Sequence, residues 1–116
     1  MTDFVGFTHV EHFVLEEADA DNVPLWELAA TLTHDGTQDE RIAAVPRLAD
    51  ALMSLARHGL VEVRTLPASP PDPNEAVLIP LDRLAEVVRD VDNWLWRDEL
   101  TSLIVVVVTD AGGAWL

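Results

Sequence analysis

The chain has 116 residues, of which 49% are hydrophobic and 24% charged, a balance typical of one globular domain. Its 21 acidic and seven basic residues give a formal net charge of −14, and all seven basic residues are arginines. The absence of cysteine excludes disulfides, thiolate metal sites and cysteine nucleophiles. The longest apolar run, Leu103 to Val108, is far shorter than the roughly 20 residues of a membrane helix, and the N-terminus lacks the basic region of a signal peptide. We therefore expect a cytoplasmic domain that has no cofactor and does not contact a membrane.

Helical spacing of apolar residues marks the first third of the chain. The spacing predicts an amphipathic helix over roughly residues 9–18. A short helix is expected to begin near Val23, with Pro24 at a first-turn position where its missing N–H does no harm. Its apolar face comes from a leucine- and alanine-rich stretch, and it is expected to end at the turn His34-Asp35-Gly36, with Gly36 as the C-terminal glycine.

A longer helix and a strand follow. Acidic residues after Gln38 suit a helix N-terminus, and apolar residues continue at helical spacing to Gly59, which ends the helix. Pro46 lies inside this pattern, so the helix is expected either to kink there or to have its main part begin there. Residues 60–66 alternate between apolar and polar side chains, which predicts a strand with Val61 and Val63 on one face.

A proline-rich segment separates this strand from the last one. Four prolines within residues 67–73 predict a loop, and a short strand is expected over residues 76–79. A further helix opens after Pro80, and residues 103–108 are apolar enough for a buried strand. The pattern predicts an α+β fold over residues 1–116, in which residues 67–102 are an insertion between two strands.

This order of elements resembles the winged helix-turn-helix family, in particular small bacterial regulators of the MarR and PadR kind. The residues that carry the resemblance are Leu25-Trp26-Glu27-Leu28-Ala29, Leu48-x3-Leu52-x2-Leu55-x3-Gly59-Leu60-Val61 and Thr109-x2-Gly112. It covers residues 9–66 and 103–112, and the arginine bias is typical of GC-rich, for example actinobacterial, coding. The resemblance implies a winged helix whose third helix enters the DNA major groove and whose wing touches the backbone. The chain departs from the family pattern in its wing, because residues 67–102, including a helix, interrupt it.

The distribution of charge helps to choose between DNA binding and protein binding, two functions that this resemblance leaves open. A DNA-binding transcriptional regulator would contact phosphate through its outward arginines, namely Arg41, Arg47, Arg57 and Arg64. The third helix, however, begins with Asp39 and Glu40, and the chain has no lysine to neutralise phosphate. We therefore prefer a non-enzymatic module that binds a protein, with the DNA-binding regulator and an acidic inhibitor of a basic protein as alternatives.

Tryptophans are the candidates for the protein interface. Trp94 and Trp96 are two residues apart and would point the same way in an extended segment, either as an interface anchor or as a cover of the inserted helix against the sheet. Trp115 and Leu116 form an apolar C-terminus that suggests a homodimer.

Enzymatic and metal sites find little support in the sequence. His9 and His12 share a helical face, but no third ligand comes at a known spacing. No serine stands in a nucleophile-elbow context, and no glycine-rich phosphate loop is present. We expect neither a catalytic residue nor a metal ligand.

Overall fold

The computed structural model describes residues 8–20, 22–67, 76–95 and 102–115, apart from the side chains of Pro67 and Ser102. Over these residues the chain is an α+β fold in which five α-helices and a 3₁₀ turn accompany one small antiparallel sheet. In chain order the elements are α1 His9–Ala20, β1 Val23–Pro24, α2 Leu25–Leu32, α3 Gln38–Arg57, β2 Val61–Pro67, β3 Val77–Leu78, α4 Leu81–Arg89, the 3₁₀ turn Val91–Trp94, β4 Ser102–Val108 and α5 Asp110–Gly113.

The sheet has four strands in the order β1-β4-β2-β3, and every pairing is antiparallel. Its centre is the long ladder between β2 and β4, which runs from Val61 opposite Val108 to Pro67 opposite Ser102. Val63 pairs with Val106 in this ladder, and both side chains are buried beneath the helices. The two-residue strands β1 and β3 form the two edges, and they pair only with residues 105–106 of β4 and residues 64–65 of β2.

The long helix α3 is defined at both ends by its sequence. At its start the Thr37 hydroxyl accepts from the Glu40 N–H, and the Glu40 carboxylate accepts from the Thr37 N–H, which is a capping box. At its end Gly59 adopts a φ of 71°, a left-handed conformation that favours glycine. The helix begins eight residues before Pro46 and continues through it, so the alternative in which the main helix begins at that proline was wrong.

Two local predictions around α2 differ from the structure. Pro24 lies in β1, in an extended conformation just before the helix, rather than in the first helical turn. The turn after α2 places His34 and Asp35, not Gly36, at positive φ. Glycine suits position 36 because the backbone of Thr33 lies close to it: a Cβ at position 36 would be 3.0 Å from the carbonyl oxygen of Thr33.

The core lies between the helices and one face of the sheet. α3 contributes eight buried residues, more than any other helix, including Leu48, Leu52 and Leu55, and α1 and α2 pack against α3. The segment between β2 and β4 also joins the core, since Leu84, Val88 and Trp94 are all at most 1% exposed. The predicted insertion is therefore a structural part of the described fold, not an appendage on its surface.

Candidate protein-interaction surface

Trp94 lies in the interior of the protein. Its side chain is 0% exposed, and the turn that carries it packs against α2, α3 and α4. The interpretation of Trp94 as an interface anchor was therefore wrong: it assumed an extended segment, whereas the residue ends a 3₁₀ turn that directs its ring inward. The alternative, in which Trp94 covers the inserted helix against the sheet, is closer to the structure. The turn that carries Trp94 packs against the inserted helix α4, but its other partners are α2 and α3 rather than the sheet.

The same turn completes the C-terminus of α4. The last carbonyl groups of a helix have no partner within the helix. Here the Asn93 side-chain N–H donates to the carbonyl of Val87 at 2.9 Å, and the Trp94 indole N–H donates to that of Val88 at 2.9 Å. Helix α4 and the 3₁₀ turn thus form one hydrogen-bonded unit, held against α3.

The other predicted interface residues fall at the edges of the described structure. Trp115 follows α5 and is 44% exposed, and its backbone N–H donates to the carbonyl of Gly112. Trp96 and Leu116 lie outside the described residues. Their part in an interface stays a prediction.

The four arginines proposed to contact DNA have different surroundings. Arg64 on β2 forms an ion pair with Glu62, with 2.8 Å between the Arg64 guanidinium and the Glu62 carboxylate. On α3, Arg47 and Arg57 are exposed, whereas Arg41 is half-buried and its Nε lies in the interior without a hydrogen-bond partner. The structure therefore leaves Arg47 and Arg57 as the fully exposed cations of this set.

Acidic residues interrupt these arginines on the exposed side of α3. Asp39 and Glu40 are exposed in the first turn, and Asp50 is exposed between Arg47 and Arg57. The exposed charges of this set are thus three acids and two bases. A DNA-reading helix presents a predominantly basic surface, which this helix lacks.

A groove runs between α3 and α4 and has a volume of about 580 Å³. Ile42, Pro46 and Met53 from α3 and Val88 from α4 are among the apolar residues that line it. Its charged residues are Asp50, Arg57 and Arg89. This groove was not predicted from the sequence. The signal available was the placement of Ile42, Pro46 and Met53 on one helical stripe, but only the docking of α4 beside that stripe creates a concave surface.

A second apolar surface lies at the edge of the sheet formed by β3, next to the start of α4. Val77 is 62% exposed, Leu78 48% and Leu81 49%. A smaller pocket of about 360 Å³ extends from β3 towards Asn93. The strand under this surface is short, since β3 pairs with β2 at only two residues.

Two contacts between polar side chains stabilise α1. The Ser54 hydroxyl donates to the Glu11 carboxylate at 2.8 Å, and that carboxylate also accepts from the backbone N–H of Thr8 at 3.1 Å, which ties the start of α1 to α3. The His12 Nδ1 atom lies 2.7 Å from the Glu16 Oε1 atom. Among the residues described, histidine and acidic side chains form no group of three or more able to hold a metal ion, and no helix is long and apolar enough to cross a membrane.

Comparison of the chain with protein-family models, with characterised proteins and with solved structures gives no match. The geometry and charge of the protein's surfaces are therefore the basis for assigning a function.

Proposed function

We propose that this chain is a winged-helix module that binds a protein and does not read DNA with its third helix. The topology supports the winged-helix part of the proposal. The helices α1, α2 and α3 precede the β2–β4 ladder, and β1, located between α1 and α2, lies beside β4. This is the arrangement that a wing attached to a helix-turn-helix requires, and the segment carrying β3 and α4 interrupts the wing.

The observation that carries the functional part is the charge on the exposed side of α3. In a winged helix this side of the third helix faces the major groove. Asp39, Glu40 and Asp50 would there approach phosphates and base edges with only Arg47 and Arg57 to offset them. Because phosphate neutralisation supplies most non-specific affinity, such a face disfavours DNA.

The overall charge and the α3–α4 groove also support a protein partner rather than DNA. The net charge of −14 repels a polyanion at long range. The α3–α4 groove combines an apolar floor with charges of both signs, which is the composition of a protein-binding surface rather than of a phosphate-binding one. The absence of cysteine is compatible with action in the cytoplasm.

The test is fluorescence anisotropy of a mixed duplex DNA library titrated with the protein at about 50 and 200 mM salt, a range over which phosphate contacts lose affinity steeply. We expect no binding at the lower salt. Asp39→Arg provides a matched variant, because it adds positive charge to the first turn without touching the Thr37–Glu40 capping box. Salt-sensitive, micromolar binding by the wild-type protein would overturn the proposal and favour the DNA-binding regulator.

A further inference from the structure

The α3 side of the α3–α4 groove carries two opposite charges at matched positions. Asp50 and Arg57 are seven residues apart, which is two turns of helix, so their side chains project from nearly the same side of α3. Met53 lies between them and is half-buried in the groove. Along this stripe the helix thus presents an acid, an apolar side chain and a base in sequence.

Both charges are available for a partner. Asp50 and Arg57 are exposed, and neither takes part in the ion pairs found among the described residues. Pro46, one turn before Asp50, is also exposed, so the apolar stripe extends beyond Met53. An occupant that covered the stripe would therefore bury apolar surface and meet one negative and one positive side chain.

We propose that this groove is the interface with a second copy of the chain, in which two α3 helices cross antiparallel about a two-fold axis at Met53. In this arrangement Asp50 of each copy faces Arg57 of the other, and the two Met53 side chains meet at the axis. This inference rests on the proposed function, because it names the partner of the protein-binding module.

Symmetry favours a second copy over an unrelated protein. A two-fold interface requires a surface that is complementary to itself, so that if residue i contacts residue j, then j also contacts i. An acid and a base placed equally far on either side of an apolar centre satisfy that requirement, because antiparallel crossing exchanges them. A row of like charges would instead repel its own copy.

The overall charge makes this local complementarity necessary. Two copies with a net charge of −14 each repel one another at long range. An interface between them must therefore contain few uncompensated acids and draw its stability from apolar contact and local ion pairs. The stripe around Met53 meets this condition, whereas the first turn of α3, with Asp39 and Glu40, does not.

The experiment uses charge reversal at the two positions, with oligomeric state measured by sedimentation velocity. We expect the wild-type protein to dimerise. Asp50→Arg gives each copy two cations on the stripe, and Arg57→Asp gives each copy two acids. Each variant is expected to weaken self-association at least about tenfold, the equivalent of about 1.4 kcal/mol.

The decisive sample is the equimolar mixture of the two variants. Copies with two cations and copies with two acids are complementary to one another, so the mixture is expected to form a heterodimer. The double variant Asp50→Arg/Arg57→Asp restores the alternation in reverse order and is expected to dimerise like the wild type. Arg47→Asp is the control for Arg57→Asp. It makes the same charge change on α3 but outside the groove, so it should leave association unchanged.

Circular dichroism of each variant confirms that the fold is retained, which the exposure of both side chains leads us to expect. A wild-type protein that is monomeric at about 1 mM, where even a millimolar dimer would be visible, would overturn the inference. So would a mixture that does not associate. Either result, with no DNA binding in the anisotropy assay, would leave the proposed function standing, whereas DNA binding by the wild type would overturn the function itself.

Discussion

Trp94 offers the clearest test of the difference between a structural and an interface tryptophan. Its side chain is fully buried among α2, α3 and α4, and its indole N–H donates to the carbonyl of Val88. Truncation to alanine removes the largest fully buried side chain of the described core. Cavity-forming changes of this kind cost about 3–5 kcal/mol, a large part of the 5–15 kcal/mol that stabilises a typical domain.

Phenylalanine at this position separates packing from hydrogen bonding. Trp94→Phe keeps an aromatic ring but leaves the carbonyl of Val88 at the end of α4 without its donor. An unpaired buried carbonyl costs about 1–3 kcal/mol, so we expect this variant to lie between the wild type and Trp94→Ala. Asn93→Ala should lose a smaller amount, about 1 kcal/mol, because the carbonyl of Val87 is less deeply buried and accessible to water.

The assay is urea unfolding followed by far-ultraviolet circular dichroism, with stability obtained from the transition midpoint and slope. Trp115→Ala is the matched control, because Trp115 is 44% exposed and its truncation should cost about 1 kcal/mol or less. A Trp94→Ala protein within about 1 kcal/mol of the wild type would refute the assignment of Trp94 to the core, since truncation of a buried tryptophan typically costs about 3–5 kcal/mol.

Three further substitutions test local features of the fold by the same unfolding measurement. Pro46→Ala restores a helical N–H in the exposed part of α3 and should raise the free energy of unfolding by about 1–3 kcal/mol, and a decrease would contradict the continuous helix. Thr37→Ala removes the capping hydroxyl and should cost about 1 kcal/mol, whereas Thr37→Ser should be nearly neutral. Gly112→Ala should cost about 1–3 kcal/mol because its Cβ would overlap the carbonyl oxygen of Leu60, while Gly113→Ala, with open space around its Cβ, should change stability by less than about 0.5 kcal/mol; equal effects would contradict the close approach.

Much of the helical architecture could be predicted from the sequence because long amphipathic segments carry a strong periodic signal. Helix α3 followed from its apolar spacing, its acidic first turn and Gly59. Strand β1 was missed because two residues show no periodicity, and Val23–Pro24 becomes a strand only by pairing with β4. The turn after α2 was assigned to Gly36 by residue type, whereas His34 and Asp35 adopt the left-handed conformation.

The site was harder to predict because it depends on contacts between distant segments. Spacing in a supposedly extended segment suggested that Trp94 faced outward, but a 3₁₀ turn rotates it into the core. The groove required knowledge that α4 packs beside α3, which no local pattern encodes. The mixed charge of α3 was readable from the sequence, since the helix carries three acids and three arginines wherever α4 lies.

The ladder between β2 and β4 has a consequence for how the chain could be divided. Pro67 and Ser102 pair across this ladder, so the 34 residues from 68 to 101, which contribute β3 to the same sheet, begin and end at adjacent points of it. Replacement of that segment by a two-residue turn would remove β3, α4 and the 3₁₀ turn from the fold. It would also uncover the parts of α2 and α3 on which Leu84, Val88 and Trp94 pack. We expect the shortened chain to recruit a separate peptide of residues 76–95 to that exposed face, so that an intramolecular contact becomes a measurable binding reaction between two molecules.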